Sequence, residues 1–483
     1  MRQSKRFFGI CLCFLSLLTA GSNTICAQQE IMSYDLSDSW YSRELNPAFF
    51  PADRKVHLGL ACVGADVWTD TGLDLQDFRK MFGGGLTEEA YQAYLFRLKE
   101  RSQVAMDVRT EALSLGFNIR GGFFFSAMHS FRLHTVTEVP VELPQLILLG
   151  NDNVIFWNNE VNVAPRVKGL GWQEVRLALS KKTGGFSFGA GVNILLGTSC
   201  VETLPDYSSM TLFTDPSNLL LVTRNNYRFH SANALESFDF QNLEPGFTTV
   251  EPESLNPFSN ALIAGRGIGI DAGFNWKLNK FIMLSGSVLD FGGRINWDKN
   301  AYLFSADNEF VYDGGAIASE ALLTGVDALE LSAQKLEEMN QSLTFQRTNE
   351  SFSTIIPARY YGKITFLLSG SLALHGTYFH QESSGLSQNS LGIGLRFKPV
   401  RWFSLGVMSI RGSNKQSVLG ANLTLMPGPV QIFAACDNIN SLIDTERITR
   451  GNFRAGLSLA FGKVTAGEKK EAFEKKEDSR FWP

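Results

Sequence analysis

"FSFGAGVNI", residues 186–194, places Phe186, Phe188, Ala190, Val192 and Ile194 on one phase of a strand and Ser187, Gly189, Gly191 and Asn193 on the other. Successive strand side chains point to opposite faces, so this segment has one apolar face and one made of small or polar residues. "GIGIDAGFNWKL", residues 267–278, repeats the arrangement, with Ile268, Ile270, Ala272, Phe274, Trp276 and Leu278 opposite Gly269, Asp271, Gly273, Asn275 and Lys277. "LSLGFNIR" (113–120), "VRLALS" (175–180), "LGIGLRFK" (391–398) and "NFRAGLSLAFG" (452–462) behave alike. A β-sandwich needs large inward side chains to reach native packing density, and glycine-rich faces do not supply them. A membrane barrel turns the apolar phase to lipid and the small or polar phase to its lumen.

The spacing of such segments extends the pattern along the chain. Strands are expected at about 56–67, 105–118, 123–137, 172–181, 186–200, 266–279, 281–297, 359–368, 371–382, 387–398, 403–412, 417–426, 430–438 and 452–462, an even set as in bacterial barrels. Short turns such as "KTGG" (182–185), "NK" (279–280), "SG" (369–370), "PVRW" (399–402) and "PGP" (427–429) fall at alternate connections. The long connections 68–104, 201–265 and 298–358 fall on the other side. The expected fold is therefore all-β, a transmembrane antiparallel barrel of about 14 strands, within a range of about 12–16, with short helices in its external loops and both termini periplasmic. Residues 219–229 and 301–312 are further strand candidates, either hairpins projecting from the rim or additions to the wall. Residues 281–297 carry apolar residues on both faces, which fits a lumen plug, a bulge or a misplaced boundary. Helical periodicity marks 86–99 and 318–339. Trp68, Trp172 and Trp297 near one rim and Trp276 and Trp402 near the other suit an interfacial aromatic girdle.

The ends of the chain frame this unit. Residues 1–27 read as a signal peptide, with Arg2, Lys5 and Arg6 before an apolar run from Phe7 to Ala20 and cleavage after Ala27. Ile25 before Cys26 disfavours lipidation. Removing those bases, with no acid among them, makes the chain more negative than the −4 of the full sequence, which argues against a nucleic-acid partner. Cys62, Cys200 and Cys436 remain, an odd number and a poor disulfide framework. Residues 28–55 form an N-terminal periplasmic or luminal segment, 56–462 the barrel and 463–483 a charged periplasmic tail, either disordered or a docking peptide.

No enzymatic constellation emerges. "GFSFG" (185–189) matches a nucleophile elbow, but Ser187 lies inside an alternating strand rather than at a strand-to-helix turn. "GIGIDA" (267–272) is followed by strand, not helix. The histidines show no metal-ligand spacing, and His375 reads as a solvated luminal residue. No cofactor or metal is expected. Glu174, Arg176, Asp271, Lys277, Arg396 and Arg454 fall on inward phases with His375, and they suit either a salt-bridged, filled interior or a polar passage. "RAGLSLAF", with Arg454, Gly456, Leu459 and Phe461, resembles the terminal-strand signal read by the barrel assembly machinery.

"NPAFFP" (46–51), "LSGSVLDFGGRINW" (284–297), "FSLGVMSI" (403–410), "GPVQIFAACDNI" (428–439) and "NFRAGLSLAFGK" (452–463) together resemble the bacteroidete outer-membrane β-barrel family of unknown function. The resemblance implies barrel and location but no activity. Asn46-Pro47-Ala48 is also similar to the Asn-Pro-Ala near the start of long-chain fatty-acid transporters, fourteen-stranded barrels whose N-terminal segment forms a hatch in the lumen. Asn46, Pro47, Ala48, Phe49, Phe50 and Pro51 are accordingly the candidate hatch. The expected function is a passive, porin-like conduit or binding barrel for a small compound, hydrophobic ones included. Its alternative is a non-transporting barrel that anchors a periplasmic or surface complex, as in gliding or type IX secretion machinery. Expected partners are outer-membrane lipid, the assembly machinery, a small hydrophobic ligand and a periplasmic protein. A soluble exported β-sandwich is the third reading.

Overall fold

Fourteen strands make the wall: β1 (Arg54–Asp70), β2 (Arg101–Ile119), β3 (Phe123–Pro140), β4 (Arg166–Thr183), β5 (Phe186–Thr203), β6 (Gly265–Lys277), β7 (Ile282–Trp297), β8 (Arg359–Leu367), β9 (Leu372–Ser383), β10 (Leu386–Val400), β11 (Phe403–Gly412), β12 (Ser417–Leu425), β13 (Val430–Cys436) and β14 (Arg450–Lys463). Each pairs antiparallel with the next, and β14 pairs back onto β1 from Arg54 to Trp68, so the ring closes without an edge. The computed structural model describes residues 30–463 except 37–38, 50–53, 75, 78–79, 81–87, 150–153, 219, 240–243, 248–261, 314–344, 384–385, 413–416 and 444–449. The signal peptide, Phe50, Pro51, the expected helix 318–339 and the tail beyond Lys463 lie outside the described residues.

The alternation that suggested a barrel is the alternation of exposure. In β5, Ser187, Gly189, Gly191 and Asn193 are buried while Phe186, Phe188, Val192 and Ile194 are exposed. Ile268, Ile270 and Phe274 continue the outer apolar surface on β6. Among the described residues no helix is long and apolar enough to cross a membrane; a closed barrel with an apolar outer surface crosses with its strands.

Residues 281–297 prove to be a bulged strand. The β6–β7 register shifts between Ile268 and Ile270 and again between Ile270 and Ala272. Asp290 and Gly292 take φ of 57° and 65°, and each shift reverses the inward phase, so Leu289 and Ile295 face inward while Phe291, between the two shifts, faces out. Below the bulge β7 pairs with β8; above it, Arg294–Trp297 pairs with Phe352–Ile355. A Cβ at Gly292 would meet nothing within 4 Å, so Gly292→Ala carries only the left-handed backbone cost of about 1–2 kcal/mol. The expected result is a lower urea midpoint at unchanged slope; an unchanged midpoint would show that the bulge relaxes.

The strands expected at 219–229 and 301–312 extend the wall beyond its long-loop rim and do not enlarge the ring. Leu220–Ala232 pairs with the end of β5 at Cys200–Thr203, with Ser209–Asp215 and with Ala301–Asp313. The helix Glu88–Arg97 falls inside the expected 86–99, and a second helix, Glu142–Leu149, was not anticipated. Three tryptophans correct the girdle. Trp276 and Trp402 are exposed at the short-turn rim, but Trp68, Trp172 and Trp297 are buried. Trp172 shares the inward phase of Glu174 and Arg176, and Trp297 follows the β7 bulge; its indole N–H donates to Thr354 Oγ1 at 3.1 Å.

Candidate functional site

The described part of residues 30–49 lies inside the ring and contacts all fourteen wall strands. It joins no ladder. A short helix, Ile31–Tyr34, and a 3₁₀ turn, Trp40–Glu44, carry it, and every residue of both is buried. Elements this short leave most backbone groups without internal partners, and the wall supplies them. Asp437 accepts the N–H groups of Ile31 (3.2 Å) and Met32 (2.8 Å). Gln431 accepts that of Trp40, whose indole donates to Ser114 Oγ at 2.6 Å. The Tyr41 hydroxyl sits 2.8 and 2.7 Å from the carbonyls of Ala61 and Leu457, across the seam where β1 meets β14. Arg43 stacks 4.2 Å over Phe124 and donates to Phe49 O and Ser180 Oγ.

Asn46 ties the segment together. Its Nδ2 lies 3.0 Å from the Tyr34 hydroxyl and 3.1 Å from the carbonyls of Phe274 and Gly286, while its Oδ1 accepts the Ala48 N–H at 2.9 Å. An amide has two hydrogens for those three acceptors, so one side chain links both halves of the plug to β6 and β7. Ser187 Oγ donates to Ala48 O and Ser287 Oγ to Leu45 O. The glycines of the inward phase are the bed for this segment. A Cβ at Gly189 would stand 2.5 Å from Pro47 C and O, one at Gly273 2.2 Å from Asn46 Oδ1, and one at Gly116 2.3 Å from the Trp40 ring. Gly420 makes the same room for Met32 and Gly406 for Asp35.

Charge locks the plug at two levels. Glu44, fully buried, faces Arg109 at 3.6 Å and pairs with Arg454, and its carbonyl accepts from Arg176 Nη1 at 2.6 Å. Glu30 lies 3.2 Å from Arg454 and 3.7 Å from Arg359. Behind them the wall carries its own network. Arg132 bridges Glu174 and Asp290 at 3.0 Å each, and Arg176 pairs with Asp271 (2.8 Å) and Glu174 (3.1 Å). On the opposite side Asp35 pairs with Lys363, has His375 Nε2 at 3.4 Å and accepts from Asn422 Nδ2 at 3.3 Å, while Arg396 donates to its carbonyl at 3.4 Å. Burial alone would raise the Asp35 pKa; Lys363, His375 and Arg396 reverse that and hold the carboxyl below the usual carboxylate range. Between plug and wall, Glu30, Asp66, Asp107, Arg359 and Asp437 line a cavity of about 30 Å³. At 10–15 Å³ per water this holds about two to three waters.

Of the residues singled out in the sequence, Asn46, Pro47, Ala48 and Phe49 lie in the plug, and Glu174, Arg176, Asp271 and Arg454 face it or its ionic surround. His375 departs from the solvated residue expected: it is 1% exposed, pressed against Asp35. Lys277 is exposed at the short-turn rim, past the last plug contact, and belongs to no luminal cluster. Arg396 is half-buried. Gly456 lies against Tyr41, whereas Phe461 is exposed on the outer phase and Leu459 half-buried there. Asp35, Trp40, Tyr41, Arg43, Glu44, Arg109, Arg132, Arg359 and Lys363 were not foreseen. Inward phase marks the four wall residues among them; the plug residues have no periodicity by which to find them.

A family model described as a family of unknown function (DUF5723) matches residues 47–437, from the Asn46-Pro47 turn through β13. The chain belongs to this family. The DUF5723 description names no activity. No curated protein matches the chain. Among solved structures, the toluene transporter TbuX of Ralstonia pickettii is 11% identical, with a TM-score of 0.38 over 88% of this chain and 94% of that one. A FadL homologue of Pseudomonas aeruginosa is 13% identical, with a TM-score of 0.39 over 88% and 95%. The toluene transporter TodX of P. putida is 10% identical, with 0.38 over 86% and 92%.

Proposed function

We propose that this DUF5723 protein is an outer-membrane conduit for a small solute, closed at rest by its own N-terminal plug. The supporting observation is that the wall closes on itself, β14 to β1, while the described residues of the plug meet it through side chains and ions rather than through a ladder. Plug movement then breaks no wall ladder, and the ring keeps its shape as the lumen opens. The short-turn rim faces the periplasm, as in bacterial barrels generally, so plug and tail enter from that side. Arg454, Gly456, Leu459 and Phe461 on the closing strand serve recognition by the assembly machinery. The bed of the plug is mixed: Phe124, Leu289, Tyr361, Phe379, Met408, Ile410 and Phe433 pack against its apolar side chains beside the buried ion pairs, which favours a solute carrying a polar group over a purely apolar one.

A reversible lock tests this. Ser187 Oγ lies 2.8 Å from Ala48 O, so residues 48 and 187 are adjacent, and cysteines there are joined across plug and β5 by a short bis-methanethiosulfonate. In liposomes the intact protein is expected to pass a small sugar or amino acid slowly, the cross-linked Ala48→Cys/Ser187→Cys protein to pass none, and reduction to restore the flux. Equal flux in locked and unlocked protein, or none in either, would sink the conduit and leave an anchoring barrel.

A further inference from the structure

The inward charges of the wall are segregated. From β1 to β7 they alternate in sign, with Asp66, Glu111, Glu174, Asp271 and Asp290 among Arg109, Arg132 and Arg176. From β8 to β12 every inward charge is basic or a histidine: Arg359, Lys363, His375 and Arg396. Among the described residues of those five strands the single acid, Glu382, is exposed on the outward phase. Thr365, Thr377, Ser404, Asn422 and Thr424 line the short-turn half of this sector with short polar groups, and Tyr361, Phe379, Met408 and Ile410 line its other half with buried apolar and aromatic ones. Arg359 is met by Asp290 of β7 at 2.9 Å, and Lys363 by the plug. The Asp35 carboxylate lies among Lys363, His375 and Asn422, and Gly406 leaves the space for it: a Cβ there would stand 2.9 Å from Asp35 Oδ2.

We infer that this is a carboxylate-binding site on the transport path, that Asp35 occupies it as an internal stand-in for the solute, and that the solute is a small, water-soluble carboxylate. The inference rests on the conduit reading and names its substrate class. One carboxylate fits the site, so a solute that takes Lys363 and Asn422 releases Asp35 and unseats the Ile31–Asp35 arm. Binding and opening are then one exchange of equivalent ionic contacts, in which no buried charge is left bare. An apolar solute offers the Lys363 ammonium no charge in place of the Asp35 carboxylate.

The full-length Asp35→Ala protein, with acetate as probe, tests the site in two arms. Calorimetric titration should show saturable acetate binding, absent for acetamide and weakened by roughly tenfold or more when Lys363→Gln is added, as for loss of a charged hydrogen-bond partner. In planar bilayers the same protein should prefer chloride to potassium, with acetate reducing the chloride current at saturation. Acetate binding without any solute passage would uphold the site and defeat the conduit. Passage without anion preference and without acetate binding would overturn the site and keep the conduit. Should Asp35→Ala fail to assemble, the native protein carries the test: rising acetate must increase its open fraction where equal acetamide does not, and an equal response to both defeats the proposal.

Discussion

Gly189→Val is expected to open the barrel. The three atoms nearest an added Cβ are Pro47 C and O at 2.5 Å and Ala48 N at 2.8 Å, all backbone, so no side chain can turn away to make room. Gly189 is fixed from both sides by its partners Ser180 and Gly273, and valine suits a strand, so the plug moves rather than the wall. Overpacking of this kind costs about 1–3 kcal/mol, which raises the open fraction by roughly five- to 150-fold. Liposome swelling and single-channel recording read this directly. Gly362→Val is the control, because that position is on the outer phase and a Cβ there meets nothing within 4 Å. Equal conductance in the two variants would show that the plug does not close the lumen.

Glu44→Gln should release the plug more completely. The carboxylate is fully buried between Arg109 and Arg454, and its removal leaves each guanidinium with one carboxylate, Arg109 with Glu174 at 3.6 Å and Arg454 with Glu30 at 3.2 Å, so the cost lies at the low end of the about 3–5 kcal/mol for breaking a buried ion pair. That cost falls on the closed state alone, since Arg109 and Arg454 gain water once the segment departs. Cysteine placed at Tyr41 should become reactive to a water-soluble maleimide in the Glu44→Gln background, while the barrel keeps its heat-modifiable mobility on electrophoresis. If labelling stays at its native rate, the latch does not depend on this pair.

How much of this was legible in the sequence follows from the range of each interaction. All fourteen strands could be read because lipid on one side and plug or water on the other impose a period of two on each segment locally. The exceptions are where distant parts intervene. Bulges at Asp290 and Gly292 scrambled the phase of β7. Trp172 and Trp297, judged by nearness to strand ends, proved to be interior because phase, not position along the strand, decides direction. The inward glycines were visible as a pattern, but not as the imprint of residues 31–48. His375 looked wet because its partner, Asp35, is 340 residues earlier in the chain.

The sequence by itself determined a closed, membrane-spanning wall, its number of strands and the phase of most of them, since solvent contrast across a sheet acts residue by residue. Only the tertiary structure decided what fills that wall. Trp40 against Ser114, Glu44 against Arg454 and Asp35 against Lys363 are contacts between residues far apart in the chain. Nothing periodic marks them. They exist because a closed ring brings fourteen separated strands within reach of one short, irregular segment, which then satisfies its backbone and charges on whichever strand faces each group.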